Sequence, residues 1–485
     1  MTEQTKPVPS ASVPASVPEP GLYASHQKVH PRRVTGTFRR LKTRVLWALM
    51  AVFLITPWLR WDRGPGIPDQ AVLFDFMGMR AWFFDVEIWP QEFYFLTGIL
   101  VLASIGLFLA TTLFGRIWCG YACPQTVWTD IFVWIEEKLE GDRNSRIRRD
   151  AEPWGLDKIL RKGVKHALWI AVSLATGAWF IFYFADAPTS LRELADGQAG
   201  EVMYGFFALF AIGTYIMAGW TREQMCTYMC PWPRIQAAML DERSLVVAYD
   251  KTRGEDRAHA KRGQSFEGRG HCVDCKICVQ VCPTGIDIRN GLQLECIGCG
   301  LCIDGCNSVM SSFGLPSNLI GWSTGKQKES WIALALRPRS LLYGGLLALT
   351  LLVMAVGASL RVDYDINVLR DRTPVYVRLS GGAVRNAYTV KISNHLRQSR
   401  DMLLQAEGVP GAVLSVVGQD ESQTARVTLR PDTVETYRVM LTVPPADGGP
   451  DQMPVTFTLS DALSGAGVAV HPVAAHKSVF ISGGP

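Results

Sequence analysis

Twelve cysteines fall into four tight clusters, and none is left over. Two clusters share one spacing, Cys272-x2-Cys275-x2-Cys278-x3-Cys282-Pro283 and Cys296-x2-Cys299-x2-Cys302-x3-Cys306. The other two are Cys-x3-Cys-Pro pairs, Cys119 and Cys123 before Pro124, and Cys226 and Cys230 before Pro231. The eight-cysteine pattern is the run that holds two 4Fe–4S clusters. Three thiolates of one run wrap one cube, and the fourth reaches across to the other. The first site would use Cys272, Cys275, Cys278 and Cys306, and the second Cys296, Cys299, Cys302 and Cys282.

Four-cysteine zinc sites also use C-x2-C spacing, but usually as two pairs across a long spacer. Two successive two-residue gaps followed by a three-residue gap fit a cubane better. A disulfide framework is disfavoured, because apolar spans and basic loops point to a reducing compartment. Asn307 stands where a proline often follows the fourth cysteine, and the spacer 283–295 is short, so the outer loops are expected to depart from the common geometry. Gly285, Gly298, Gly300 and Gly305 are expected to let the backbone turn closely around the cubes and aim N–H groups at sulfur. With Lys276 nearby, such hydrogen bonds would tune the potential.

Of the 485 residues, 48% are hydrophobic, and the mean hydropathy is +0.11. Crossing a bilayer takes about 20 apolar residues. Five stretches qualify, near 43–60, 92–114, 167–185, 202–220 and 340–360. A long polar stretch precedes the first and no small-residue cleavage site follows it, so it reads as a span and not a signal peptide. Segment 71–89 carries Asp75, Arg80, Asp85 and Glu87 and reads as an interfacial or re-entrant piece, not a sixth span. A net charge of +5 is small for this length, and no nucleic-acid motif is present, which argues against a nucleic-acid partner.

Lysine and arginine counts set the expected orientation. Residues 1–44 hold eight and the loop 115–166 holds ten, whereas 61–91 holds two and 186–201 one. The basic loops, the N-terminus and every cysteine are therefore expected on the cytoplasmic side, with the segment after the fifth span outside. Residues 1–36, rich in Pro, Ser and Val, read as a disordered tail. Residues 37–225 hold the first four spans and the first Cys-x3-Cys-Pro motif. Residues 226–339 hold the second motif and a ferredoxin-like module at about 262–314, and 340–360 the fifth span. Residues 361–485 alternate apolar and polar residues in short runs, 375–379, 387–392, 425–429, 437–443 and 455–459. With two weaker runs, they predict an immunoglobulin-like sandwich of roughly seven strands without the usual disulfide. His395, His471 and His476 are too scattered there to form a metal site.

Each Cys-x3-Cys-Pro pair follows an apolar span and a basic residue, Arg116 or Arg222. On a helix i and i+4 share a face, so each pair offers two thiolates side by side before the proline breaks the helix. If the second and fourth spans pack together, Cys119, Cys123, Cys226 and Cys230 converge on one site. Four soft ligands suit Cu(I), zinc or an iron–sulfur centre. Met225 and Met229 would add thioethers and lean toward copper, although apolar packing at a membrane edge is their plainer reading. Buried cysteines acting as small hydrophobes are the plain alternative, and the repetition of the motif argues against it. His166, beginning the third span, has no second histidine to pair with and reads as an interface residue.

The combination of a basic N-terminal region, five spans, paired Cys-x3-Cys-Pro motifs, a two-cluster module and a terminal sandwich resembles the cytochrome c oxidase accessory protein family, whose members are called CcoG, FixG or RdxA. The likeness covers nearly all of the chain past residue 30. The membrane part alone is similar to NapH and NosR, which relay electrons from quinol. The resemblance implies a five-helix transmembrane bundle in the bacterial inner membrane, with a cytoplasmic bacterial-ferredoxin-like module and a periplasmic immunoglobulin-like β-sandwich. It implies two 4Fe–4S clusters and a cupric reductase that makes Cu(I) for assembly of a cbb-type oxidase. Cys119, Cys123, Cys226 and Cys230 would then be a copper-handling or extra redox site. Copper would be the substrate, and oxidase assembly factors or a copper transporter the partners, with an electron donor that the sequence does not identify. A quinol-linked relay and a non-enzymatic assembly scaffold are the alternatives.

Overall fold

The computed structural model describes residues 28–485, apart from 65, 90–91, 242, 325–330, 397, 432, 445–449, 463–471 and 483–485. The expected disorder of residues 1–27, and His471, lie outside the described residues. The chain divides near residue 354 into two units.

Five helices are long and apolar enough to cross a membrane: Thr37–Trp58, Tyr94–Phe114, Leu156–Ile181, Glu201–Met229 and Pro338–Ser359. No residue in the most apolar stretch of the fifth is fully buried, and Leu341, Leu342, Leu351 and Leu352 stand exposed on it, although Tyr343 meets Phe108 of the second span at 6.1 Å. An apolar helix that is so largely uncovered is suited to hydrocarbon. The first and third spans begin earlier than hydropathy alone indicates. Their leading turns carry charges that find partners, Lys42 with Asp130 at 3.1 Å and Lys165 with Glu140 at 3.0 Å. The fourth span packs along the third. Gly177 makes this possible, because a Cβ there would lie 2.8 Å from the Phe207 carbonyl oxygen.

Segment 71–89 is neither helical nor a span. It forms a small antiparallel sheet of β1 (Val72–Asp75), β2 (Arg80–Phe83) and β3 (Val86–Ile88). Its charges are used up locally: Gly78 N donates to Asp75 Oδ1 at 2.8 Å in the turn, and Arg80 pairs with Glu87 at 3.0 Å over the Trp89 ring. Residues 28–36, expected to be disordered, form an extended strap. Arg32 N donates to the Gln280 carbonyl at 2.7 Å, and Arg146 donates to the Pro31 carbonyl.

β4 (Val246–Tyr249) and β5 (Ile320–Ser323) pair antiparallel and bracket the two ferredoxin-type runs. The second unit carries β6 (Tyr364–Arg370), β7 (Val377–Arg378), β8 (Val384–Asn394), β9 (Arg400–Glu407), β10 (Val413–Val416), β11 (Thr424–Leu429), β12 (Thr433–Val443), β13 (Gln452–Asp461) and β14 (Ala474–Ile481). They form two antiparallel sheets, β10-β12-β8-β6 with β7 on β8, and β11-β9-β13-β14. Tyr388 of β8 meets Phe457 of β13 edge to face at 5.0 Å between the sheets. The sandwich is as expected, with more strands than the roughly seven anticipated; β10 is only four residues long, β9 and β14 alternate less regularly, and β6 alternates but lies outside the five runs. The 375–379 run shrinks to the exposed two-residue edge β7.

Candidate metal centre

Two short helices present the ferredoxin-type cysteines. Ile277–Gln280 carries Cys278, and Leu301–Ser312 carries Cys302 and Cys306. The second starts from Gly300, whose φ of +72° suits glycine and whose missing Cβ leaves room for Phe38. Gly305 acts differently from expectation. Its φ is not positive, and its lack of a side chain lets the two helices touch, since a Cβ would lie 3.0 Å from Ile277. Asn307 explains the missing proline, because the helix runs on to Ser312 and a proline would break it. The Asn307 side chain instead donates to Asn318 Oδ1 at 3.2 Å and accepts from Asn318 N at 2.7 Å.

Two cavities open inside this lobe. One is lined by Cys272, Cys275, Cys278 and Cys306. The other is lined by Cys282, Cys296, Cys299 and Cys302, with Cys278 also in its wall. Each therefore gathers three cysteines of one run and one of the other. Among the described residues, no three His, Cys, Asp or Glu side chains close on a single ion. Four thiols spread around a cavity suit a cubane better than zinc. Burial pushes the Cys278 and Cys299 thiols up to about 12 and Cys306 up to about 11. Four cysteine sulfurs around each buried cavity are the donor set that a 4Fe–4S cluster uses, so the residues present fit two such clusters.

The first cysteine of each Cys-x3-Cys-Pro pair lies in a π-helical turn, Trp118–Ala122 or Met225–Met229, and the second closes that turn in extended backbone, not on plain α-helix. The second cysteine of each donates its N–H five residues back, Cys123 to Trp118 O at 2.9 Å and Cys230 to Met225 O at 2.8 Å. The proline that follows then starts a new helix, Pro124–Glu140 or Trp232–Met239. Cys123, Cys226 and Cys230 all act electrostatically on Cys119, so the four thiols gather at one end of the bundle. Burial pushes Cys119 up to about 12. The expected pairing of second and fourth spans is not what joins them. Each motif's trailing helix reaches the other motif's span instead. Gln125 Nε2 donates to Met217 O at 2.8 Å and Arg222 O at 3.2 Å. Gln236 Nε2 donates to Thr111 Oγ1 at 3.2 Å, while its Oε1 accepts from Cys119 Sγ at 3.2 Å. Met229 is 58% exposed, in keeping with apolar packing at a membrane edge.

The membrane-edge thiols are joined to the second cavity. Cys119 shares one buried cluster with Val281, Ile297, Cys299 and Leu301. Tyr121 Oη donates to the Cys299 carbonyl at 2.9 Å, and Arg116 donates to the carbonyls of Cys296 and Pro233, each at 3.0 Å. A Cβ on Gly120 would lie 2.9 Å from the Ile297 carbonyl oxygen. Cys278 lines both cavities, and Cys275 is exposed. The three sites thus stand in series, with Cys275 at one end and the four-thiol site at the other.

Sequence reasoning missed the polar groups that hold this series. Asp304, between Cys302 and Cys306, accepts from Phe38 N at 3.2 Å and Arg39 N at 2.8 Å and caps the first span from a distant part of the chain. Glu136 is buried and accepts from Arg222 at 3.0 and 2.8 Å and from Arg146 at 3.2 Å. Burial alone would raise its carboxyl, but Arg222 and Lys165 hold it down at about 2. The one signal for these contacts was the arginine preceding each cysteine pair.

A helical membrane bundle that bears a two-cluster ferredoxin lobe and a β-sandwich defines a membrane-associated iron–sulfur electron-transfer protein. The 4Fe-4S dicluster domain matches residues 221–325, a 4Fe-4S binding domain matches 96–141, and the IG-like fold at the C-terminal of FixG matches 354–483. Nitrogen fixation protein FixG of Rhizobium meliloti is 46% identical, over 87% of this chain and 88% of its own. Protein RdxA of Cereibacter sphaeroides is 42% identical, over 95% and 98%. Ferredoxin-type protein NapH of Haemophilus influenzae is more distant, 27% identical over 44% and 67%. The chain belongs to the FixG family of membrane ferredoxin-like proteins.

Proposed function

We propose that this chain reduces Cu(II) to Cu(I) at the four-thiol end of its series, on the cytoplasmic face of a bacterial inner membrane, for assembly of a cbb-type haem–copper oxidase. The observation that carries this reading is the contact of Cys119 with the Cys299 loop, which sets soft thiols beside the second cluster site. A bound 4Fe–4S cluster supplies electrons singly, and Cu(II) takes one. Thiolates at the exit favour copper in its reduced state. In this reading Cys119, Cys123, Cys226 and Cys230 form a copper-handling or extra redox site, and the 4Fe-4S binding-domain match over Cys119 and Cys123 supports a redox role for the first pair.

The test is the double variant Cys226→Ser with Cys230→Ser. Both ferredoxin-type clusters should persist by EPR and iron analysis, while oxidation of the dithionite-reduced protein by Cu(II) is lost. Unchanged copper reduction removes this reading. A second reading, a quinol-linked relay, has in its favour the apolar side chains Leu46, Trp47, Ile131 and Trp134 in a cavity beside Cys226. Cluster oxidation by a quinone analogue and not by Cu(II) would select it.

A further inference from the structure

We infer that the cavity beside Cys226 admits copper as a small anionic chelate and not as the bare dication. The inference rests on the copper-reducing reading above. The cavity measures about 400 Å³ and lies between the 28–36 strap, the first span, the helix Pro124–Glu140 and the ferredoxin lobe. Cys226 stands in one wall. Pro283 and Thr284, which follow Cys282, stand in another with Ile297, the neighbour of Cys296. A ligand seated here lies against both the four-thiol site and the second cluster loop.

The lining decides which ligand enters. Arg32, Arg33, Arg39, Lys42, Lys138 and Arg222 supply six cations. Asp130, Glu137 and Glu223 supply three carboxylates. Carboxylates behind the wall offset part of this surplus: Asp142 lies 4.0 Å from Arg32 and accepts from Arg33 N at 3.0 Å, and Glu140 meets Lys165 at 3.0 Å. Asp130 serves two cations at once, Arg39 at 3.0 Å and Lys42 at 3.1 Å. Glu136, the partner of Arg222, is already shared with Arg146 and Lys165. Lys42 is only 3% exposed, so part of this positive field acts through protein and not through water. Such a lining repels a free dication and draws in an anion. The volume suits a metal wrapped by a few carboxylate or thiolate arms. One electron leaves the relay and one Cu(II) becomes Cu(I), with no proton to move. Cu(I) prefers soft donors, so reduction loosens its hold on carboxylate oxygens and favours departure from the chelate.

The test uses the full-length, cluster-loaded protein and the double variant Arg33→Gln with Lys138→Gln, both exposed positions. The reduced protein is mixed with anionic Cu(II)–nitrilotriacetate or cationic Cu(II)–triethylenetetramine, and cluster oxidation is followed by absorbance. The variant should slow the anionic complex about 5-fold to 10-fold and leave the cationic one unchanged or faster. In parallel, calorimetric titration of the oxidised protein with redox-inert Zn(II)–nitrilotriacetate should show binding that the variant weakens by a similar factor. Equal effects on both copper complexes, or no binding of the zinc chelate, overturn the inference. Zinc-chelate binding without cluster oxidation by any copper complex overturns the copper reading itself and leaves only an anion site.

Discussion

The C-terminal sandwich and the ferredoxin lobe each close a core, but by different means. In the sandwich Tyr388, Val390, Ile392, Leu404, Phe457 and Phe480 are wholly buried, and residues 361–485 contain no cysteine. Its strands alternate buried and exposed residues, so apolar burial alone accounts for the packing. In the ferredoxin lobe, Cys272 and Cys278 belong to the buried core itself, and Cys296, Cys302 and Cys306 pack against it. Its apolar core, with Val247, Val273, Ile303, Met310, Leu319 and Ile320, is smaller than that of the sandwich and is interrupted by cysteines, so metal–thiolate bonds are expected to add to it. One chain thus carries a region closed by apolar burial alone and one in which apolar burial is supplemented by cluster ligation.

The largest effect that could break this contrast comes from stripping iron. Chelation under denaturant-free conditions should lower hydrogen-exchange protection across 246–323 while leaving that of 364–481 intact; a parallel loss in both regions would refute it. Next, Cys299→Ala should halve the iron bound in the two ferredoxin-type cavities by removing a ligand of the second, and Cys272→Ala should do the same through the first, each read by iron analysis and EPR. Phe457→Ala should cost the sandwich about 3–5 kcal/mol in denaturant titration and leave iron content unchanged. The smallest change is Asp304→Ala, which leaves the N–H groups of Phe38 and Arg39 without their cap. About 1 kcal/mol is expected, seen as faster exchange at the start of the first span with both clusters retained.

Legibility follows the same division. The crossed cysteine sets were readable because metal ligands are spaced by local chain geometry, and the sandwich because two-residue alternation survives in β8, β11, β12 and β13. The strap 28–36 was not readable, because its order comes from backbone contacts with Gln280 and Arg146 and not from its own composition. Segment 71–89 hid its sheet because Arg63, outside the segment, fixes it by donating to the carbonyls of Phe84 at 2.6 Å and Ala71 at 2.9 Å. Convergence of the two cysteine pairs was expected only if the second and fourth spans packed together, whereas the contacts between the motifs run through Gln125 and Gln236. A glutamine after each proline carries no pattern that distinguishes it from a surface residue.

That exchange of glutamines sets an order on biogenesis. Gln125 lodges against the fourth span and Gln236 against the second, so neither half-site is finished by its own hairpin. While the ribosome is still short of residue 236, Cys119 and Cys123 wait as an incomplete pair. The four sulfurs can therefore meet only once the fourth span has been threaded and docked.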